Sequence, residues 1–124
     1  MKVIALDFDG VVHSYQSGWT GDADIPDPLV EGAAEGIKRL RIDYKVVIFS
    51  TRARTVEGRN AIIAYLAKYG IEVDGVTDKK IPAHIYVDDR AVCFDGSWNH
   101  LREDIRDFAS WQDIEALTKV QMVS

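Results

Sequence analysis

The stretch Val3-Ile4-Ala5-Leu6-Asp7-Phe8-Asp9-Gly10 constrains this chain more than any other. A short apolar run bounded by a glycine reads as a buried strand of a parallel sheet. Side chains alternate faces along a strand, so Asp7 and Asp9 share a face at its C-terminal end if the extended geometry continues that far. Open α/β sheets hold their ligands at that end. Gly10 lets the chain turn and lets a ligand come close to the backbone. A polar strand end with Asp9-Gly10 as an ordinary turn uses the same residues, so the rest of the chain has to decide.

A length of 124 residues fits a single domain, residues 1–124, with room for a proper core. Apolar content of 47% and charged content of 28% are those of a globular protein in water. A net charge of -5 argues against sequence-independent binding to nucleic acid, which needs a basic stripe. It leaves room for a phosphorylated ligand held by a few local cations. Cys93 is the only cysteine, which excludes an internal disulfide and fits a reducing, cytoplasmic setting. No signal peptide is expected ahead of the first strand, and no apolar run reaches membrane-spanning length.

Val11 to Asp27 reads as a long irregular stretch containing His13, Tyr15 and Trp19. Loops of this length are often functional lids, so it is either a flap over Asp7 and Asp9 or a loop packed down by its aromatic residues. Asp27-Pro28 reads as a helix start, with Leu29, Ala33, Ile37 and Leu40 at helical spacing and Lys38, Arg39 and Arg41 near its end. Gly32 and Gly36 would weaken that helix but allow a close approach to a sheet. Val46 to Phe49 is a second buried strand, ending at Ser50-Thr51, where a hydroxyl either binds phosphate or caps the next turn. Arg52 and Arg54 follow as solvated charges or anion ligands. A helix from about Val56 to Tyr69 buries Ile62, Leu66 and Tyr69 and stops at Gly70.

Ile71 to Val73 is read as a third strand, and His84 to Val87 as a fourth ending in Asp88-Asp89-Arg90, where an Asp pair is either a site or a turn. His84, inside an apolar strand, is read as a hydrogen-bonded core residue. The loop between these strands carries Lys79 and Lys80. Leu101, Ile105 and Phe108 mark a further helix with Ser97 as a possible cap, and Ser110 with Asp113 opens a last helix. Strand and helix alternate, which predicts an α/β fold with a parallel sheet covered by helices on both faces. Right-handed crossovers would then bring Asp7, Asp9, Ser50, Asp88 and Asp89 to one edge.

Several carboxylates in one crevice repel each other without a cation, and hard oxygen ligands suit Mg²⁺. A lysine and a hydroxyl suit phosphate oxygens. Metal, anion clamp and free carboxylate are the parts of phosphoryl transfer. There is no GxxxxGK[ST] loop and no GxSxG elbow, and the histidines His13, His84 and His100 are scattered without cysteine partners, so zinc is poorly supported.

Asp7-Phe8-Asp9-Gly10-Val11, Val47-Ile48-Phe49-Ser50, a lysine before the last strand and Val87-Asp88-Asp89 stand in the order of the four motifs of the haloacid dehalogenase (HAD) superfamily, which the chain resembles from about Lys2 to Phe94. With an arginine two residues after Ser50, it looks most like small bacterial and phage members and is similar to the phosphatase domain of polynucleotide kinase-phosphatases. The resemblance implies a three-layer Rossmann-like fold without a large cap domain. It implies Asp7 as the nucleophile that forms an aspartyl-phosphate and Asp9 as general acid/base. Ser50 and a lysine, Lys80 in preference to Lys79, would hold the phosphoryl group. Mg²⁺ would be bound by the side chains of Asp7 and Asp88, the backbone carbonyl of Asp9, and Asp89 directly or through water.

An open, capless site suits a large substrate or a lid borrowed from another subunit. Gly10, Thr51 and Arg52, with His13, Tyr15, Trp19 and Arg54, are the natural substrate contacts. A phosphorylated small molecule or nucleotide is the expected partner, a nucleic-acid end among the options. The alternatives are a HAD-fold binding or regulatory protein and a phosphoacceptor receiver domain. The latter would need its acidic pair at the first strand, whereas here the pair comes late.

Overall fold

The computed structural model describes residues 1–123. They form two compact units, one ending at Asp88 and one beginning at Asp89. The first holds a four-stranded, wholly parallel sheet: β1 (Val3–Asp7), β2 (Lys45–Phe49), β3 (Gly75–Thr77) and β4 (Ile85–Val87), in the order β3-β2-β1-β4. Helix α1 (Ala33–Asp43) packs on β2, and α2 (Val56–Lys68) packs on β3. This is the expected α/β fold, a parallel sheet flanked by helices with no large cap. The core gathers Leu6, Phe8, Val46, Ile48, Ile37, Ile62, Tyr65 and Leu66. The apolar runs of β1 and β2 are therefore buried as their composition requires.

Helix α2 begins where local chemistry directs. The Thr55 hydroxyl accepts from the Gly58 N–H at 3.0 Å, an N-cap, and Gly70 follows its end with φ +68°. Gly58 has a further constraint. A Cβ built there would lie 1.9 Å from the Arg52 carbonyl oxygen. We predict that Gly58→Ala costs about 1–3 kcal/mol, because backbone rather than a flexible side chain must give way. A denaturation midpoint equal to that of the wild type would show that the turn at Arg52 yields freely.

Four expectations about elements need correction. Helix α1 starts at Ala33, not at Pro28. The Ser14 N–H bonds the Pro28 carbonyl and the Val30 N–H bonds the Val12 carbonyl, so residues 28–30 lie extended against the preceding loop. Gly32, with φ +84°, then turns the chain into the helix, whereas a Cβ at Gly36 would meet nothing within 4 Å. The third strand is Gly75–Thr77, not Ile71–Val73. The Ile71 N–H closes the end of α2 on Leu66, and pairing with β2 begins only when the Asp74 N–H reaches the Val46 carbonyl. His84 is exposed and precedes β4, its N–H on the Val3 carbonyl. Ser97 receives the Asn99 N–H in a turn and does not cap the next helix, which begins at Leu101.

Three aspartates tie this unit together in their ionised form. The Arg41 guanidinium, with help from the Val46 N–H, holds Asp74 below the ordinary aspartate value of 3.8. Asp22 is lowered by Arg54, and Asp27 by Ser17. A depressed carboxylate contributes stability above the unfolded-state value and loses it as pH falls through the folded one. We therefore expect the melting temperature to fall with acidification below about pH 3.8. The gap between wild type and Asp74→Asn should narrow over the same window. A gap that stays constant from neutral pH downward would show that Asp74 contributes nothing through its charge.

The second unit carries α3 (Leu101–Arg106) and α4 (Trp111–Val123). The expected capping box is present: Ser110 Oγ accepts from the Asp113 N–H at 3.3 Å and Asp113 Oδ2 from the Ser110 N–H at 3.2 Å. Trp98 and Trp111 are exposed, and Trp98 packs on Phe94. Among the described residues, no helix is long and apolar enough to cross a membrane.

Candidate active site

Register brings the site together. Asp7 pairs with Phe49 across β1 and β2, and Leu6 pairs with Val87 across β1 and β4. Ser50 and Asp88, each the next residue on its own chain segment, therefore emerge beside Asp7 at the C-terminal ends of three neighbouring strands. Parallel pairing without a stagger is what converts three separate sequence positions into one edge. Asp7 and Asp88 each offer a carboxylate oxygen, and with one from Asp89, the next residue along the chain, these atoms all lie within 4.8 Å of one another.

The chemistry of this donor set fits a hard divalent cation. All three donors are carboxylate oxygens, and their mutual repulsion is relieved by a positive ion. Asp89 Oδ1 is buried without a hydrogen-bond partner, which a metal or a metal-bound water would supply. Carboxylates alone do not distinguish Mg²⁺ from Mn²⁺ or Ca²⁺.

Asp9 goes a different way. Strand β1 ends at Asp7, so Asp9 is no longer part of the alternating strand. The Phe8 carbonyl receives the N–H groups of Val11, Val12 and His13, and the Gly10 N–H returns to the His13 carbonyl with Gly10 at φ +85°. This tight turn places His13 beside Asp9. His13 Nδ1 lies 2.8 Å from Asp9 Oδ1, and Arg52 Nε spans both Asp9 oxygens at 3.1 and 2.9 Å. The Asp9 carboxylate is thus held by protein donors and stands outside the three-carboxylate group. The ligand implied for it was its backbone carbonyl, which these contacts leave aside.

Arg52 is the residue whose placement departs furthest from a solvated or ligand-facing arginine. Its side chain has no exposed surface. Beyond Asp9, its Nη1 faces the carbonyl oxygens of Gly21, Asp22 and Asp24 at 2.6, 3.0 and 2.9 Å. Its guanidinium stacks on Trp19, 4.7 Å from the ring centroid. Arg54 is likewise engaged, with two bonds of 3.0 Å to the Asp22 carboxylate. His13 is fully buried between Phe8 and Tyr65. The Tyr65 hydroxyl donates to the Asp27 carbonyl, and burial pushes its ionisation well above the ordinary tyrosine range. The 11–27 segment is therefore fastened to the body by arginine, histidine and tyrosine.

The remaining expected residues are distributed as follows. Ser50 is buried and its hydroxyl accepts from the Arg52 N–H at 3.2 Å, capping a 3-10 turn over Thr51–Arg54. Thr51 is exposed at the start of that turn. Lys79 pairs with Asp78 at 3.7 Å, and Lys80 Nζ lies 5.8 Å from the Tyr86 ring centroid, so both lysines are engaged within their own loop and β4. Sequence reasoning missed Gly58 and the joint hold of His13 and Arg52 on Asp9. The His13 spacing of four from Asp9 was a visible signal. The loop carbonyls around Arg52 had none.

Comparison with family models, with curated proteins and with solved structures finds no match to this chain.

Proposed function

We propose that this chain is a Mg²⁺-dependent phosphohydrolase of the HAD type, acting on a phosphomonoester through an aspartyl-phosphate. The observation that carries this reading is the meeting of Asp7, Asp88 and Asp89 at the ends of adjacent parallel strands. The buried Ser50 emerges in register beside them. Asp7 and Asp88, with Asp89, would hold Mg²⁺, which when bound supplies charge neutralisation at the phosphoryl oxygens.

In the proposed reaction an Asp7 oxygen attacks phosphorus as the ester P–O bond breaks. The leaving oxygen takes a proton from the Asp9 carboxyl and departs as an alcohol. Water then attacks the phosphorus of the acyl phosphate and gives its proton to Asp9. Phosphate leaves and the Asp7 carboxylate is restored. Ser50 and a lysine, Lys80 or Lys79, would bind the phosphoryl oxygens, with Gly10 and Thr51 lining the approach. The substrate class is a phosphorylated small molecule or nucleotide, with a nucleic-acid end as its largest form, and the proposed setting is the cytoplasm.

The test is phosphate release with Mg²⁺ over a panel of small phosphate esters, sugar phosphates, nucleotides and end-phosphorylated oligonucleotides, each measured as wild type minus Asp7→Asn. Chelation by EDTA should reduce the wild-type signal to the variant's level, and added Mg²⁺ should restore it. No difference between folded wild type and variant across the panel would overturn the enzyme reading in favour of a binding protein.

A further inference from the structure

The contacts around His13 fix more than its position. The Asp27 backbone N–H reaches His13 Nε2 at 3.1 Å, closer than Asp27 Oδ2 at 3.5 Å from the same nitrogen, so the geometry assigns the lone pair to Nε2. The ring proton then sits on Nδ1 and is donated to Asp9 Oδ1 at 2.8 Å. A ring stacked on Phe8 and edge-on to Tyr65 and Tyr15 cannot flip to exchange these roles without opening the core. On the other side of the same carboxylate, Arg52 Nε holds both oxygens while Arg52 Nη1 holds the carbonyls of residues 21, 22 and 24. Both donors to Asp9 are therefore themselves held by the 11–27 segment.

We infer that His13 is a positioning residue for Asp9: its Nδ1–H, set by the Asp27 amide, fixes the direction of the acid/base carboxylate through Oδ1, and the 11–27 segment serves as the frame that holds that direction. The inference rests on the phosphohydrolase reading, in which Asp9 moves the proton. A side chain that must deliver a proton within hydrogen-bond reach loses effect when its direction is freed, even if its chemistry is intact. The effect depends on the leaving group. An alkyl ester needs the proton as its P–O bond breaks, whereas p-nitrophenolate leaves with little help.

The experiment compares p-nitrophenyl phosphate with glycerol phosphate for wild type, His13→Leu and His13→Asn. His13→Leu should lower kcat on the alkyl ester about tenfold or more beyond its effect on the aryl ester, with a smaller change in KM. His13→Asn, whose amide N–H can replace Nδ1–H, should restore most of that loss. Equal losses on both substrates, or no rescue by Asn, would overturn the positioning role. Because His13 is buried and a variant can fail to fold, the wild-type ring is also read directly by ¹⁵N NMR. A proton on Nδ1 and a bare Nε2 are expected, and the reverse tautomer would overturn the inference without any reference to activity. Absence of Asp7-dependent turnover by wild type, with the Nδ1–H tautomer in place, would overturn the phosphohydrolase reading, and with it the catalytic use of this contact.

Discussion

Asp7→Asn is expected to lower Mg²⁺-dependent phosphate release by about 10³-fold or more while leaving the fold intact. An amide cannot become an acyl phosphate, and the change also removes one anionic oxygen from the metal-binding group. The fold should survive because Asn has nearly the same shape and Asp7 lies at the last pair of the β1–β2 register. The apo protein should melt no lower than wild type. Three carboxylate oxygens within 4.8 Å of each other repel, and neutralising one relieves that repulsion. Added Mg²⁺ should then raise the wild-type melting temperature more than the variant's, since binding to the folded state stabilises it by mass action. This second readout needs no substrate. A variant that retains a tenth of wild-type turnover would exclude Asp7 as nucleophile, and equal Mg²⁺ shifts would exclude it as a ligand.

Arg52→Met is expected to cost about 3 kcal/mol of stability, because it removes a fully buried charge from its partners. Breaking a buried charge pair from one side leaves the other side unpaired, which typically costs about 3–5 kcal/mol. The Asp9 side chain keeps 17% of its surface exposed, which places the value at the lower end of that range. The carbonyls of Gly21, Asp22 and Asp24 lose their shared donor at the same time, and Trp19 loses the cation stacked on it. Arg52→Lys should recover less than half. A single ammonium cannot span two carboxylate oxygens and reach three carbonyls on the far side. Urea denaturation measures the cost, and limited proteolysis should show earlier cleavage within residues 16–26. A loss under about 0.5 kcal/mol for Arg52→Met would mean that the 11–27 segment is held mainly by the Tyr65 and His13 contacts.

The element pattern was legible where information is local. The apolar runs that became β1 and β2, the periodic spacing of Ile62 and Leu66, the stop at Gly70 and the reciprocal Ser110–Asp113 cap each depend on residues within a few positions of one another. The ordering of acids and hydroxyl at the strand ends was also legible, because a parallel sheet puts every strand end on one edge. The start of α1 was misread for the opposite reason. Asp27-Pro28 has the local signature of a helix start, but backbone groups of Val12 and Ser14 claim Pro28 and Val30 first. Ile71–Val73 has strand-like composition, yet the Ile71 amide is taken by the end of α2.

What this sequence determined by itself was therefore the set of elements and the candidate acids, since periodicity, caps and glycine stops act between near neighbours. Only the tertiary structure decided the partners of the polar groups. It brought Asp7 and Asp88 together at one sheet edge, set Arg52 against Asp9, and buried an arginine that composition alone places in water. Those outcomes depend on which carbonyls and carboxylates arrive from some 30 or 40 residues away, as in the Arg52 contacts to Asp22 and Asp9. Burial of a charged side chain calls for such partners, which meet Arg52 at Nε and Nη1 though not at Nη2, and no pattern of nearby residues records their arrival.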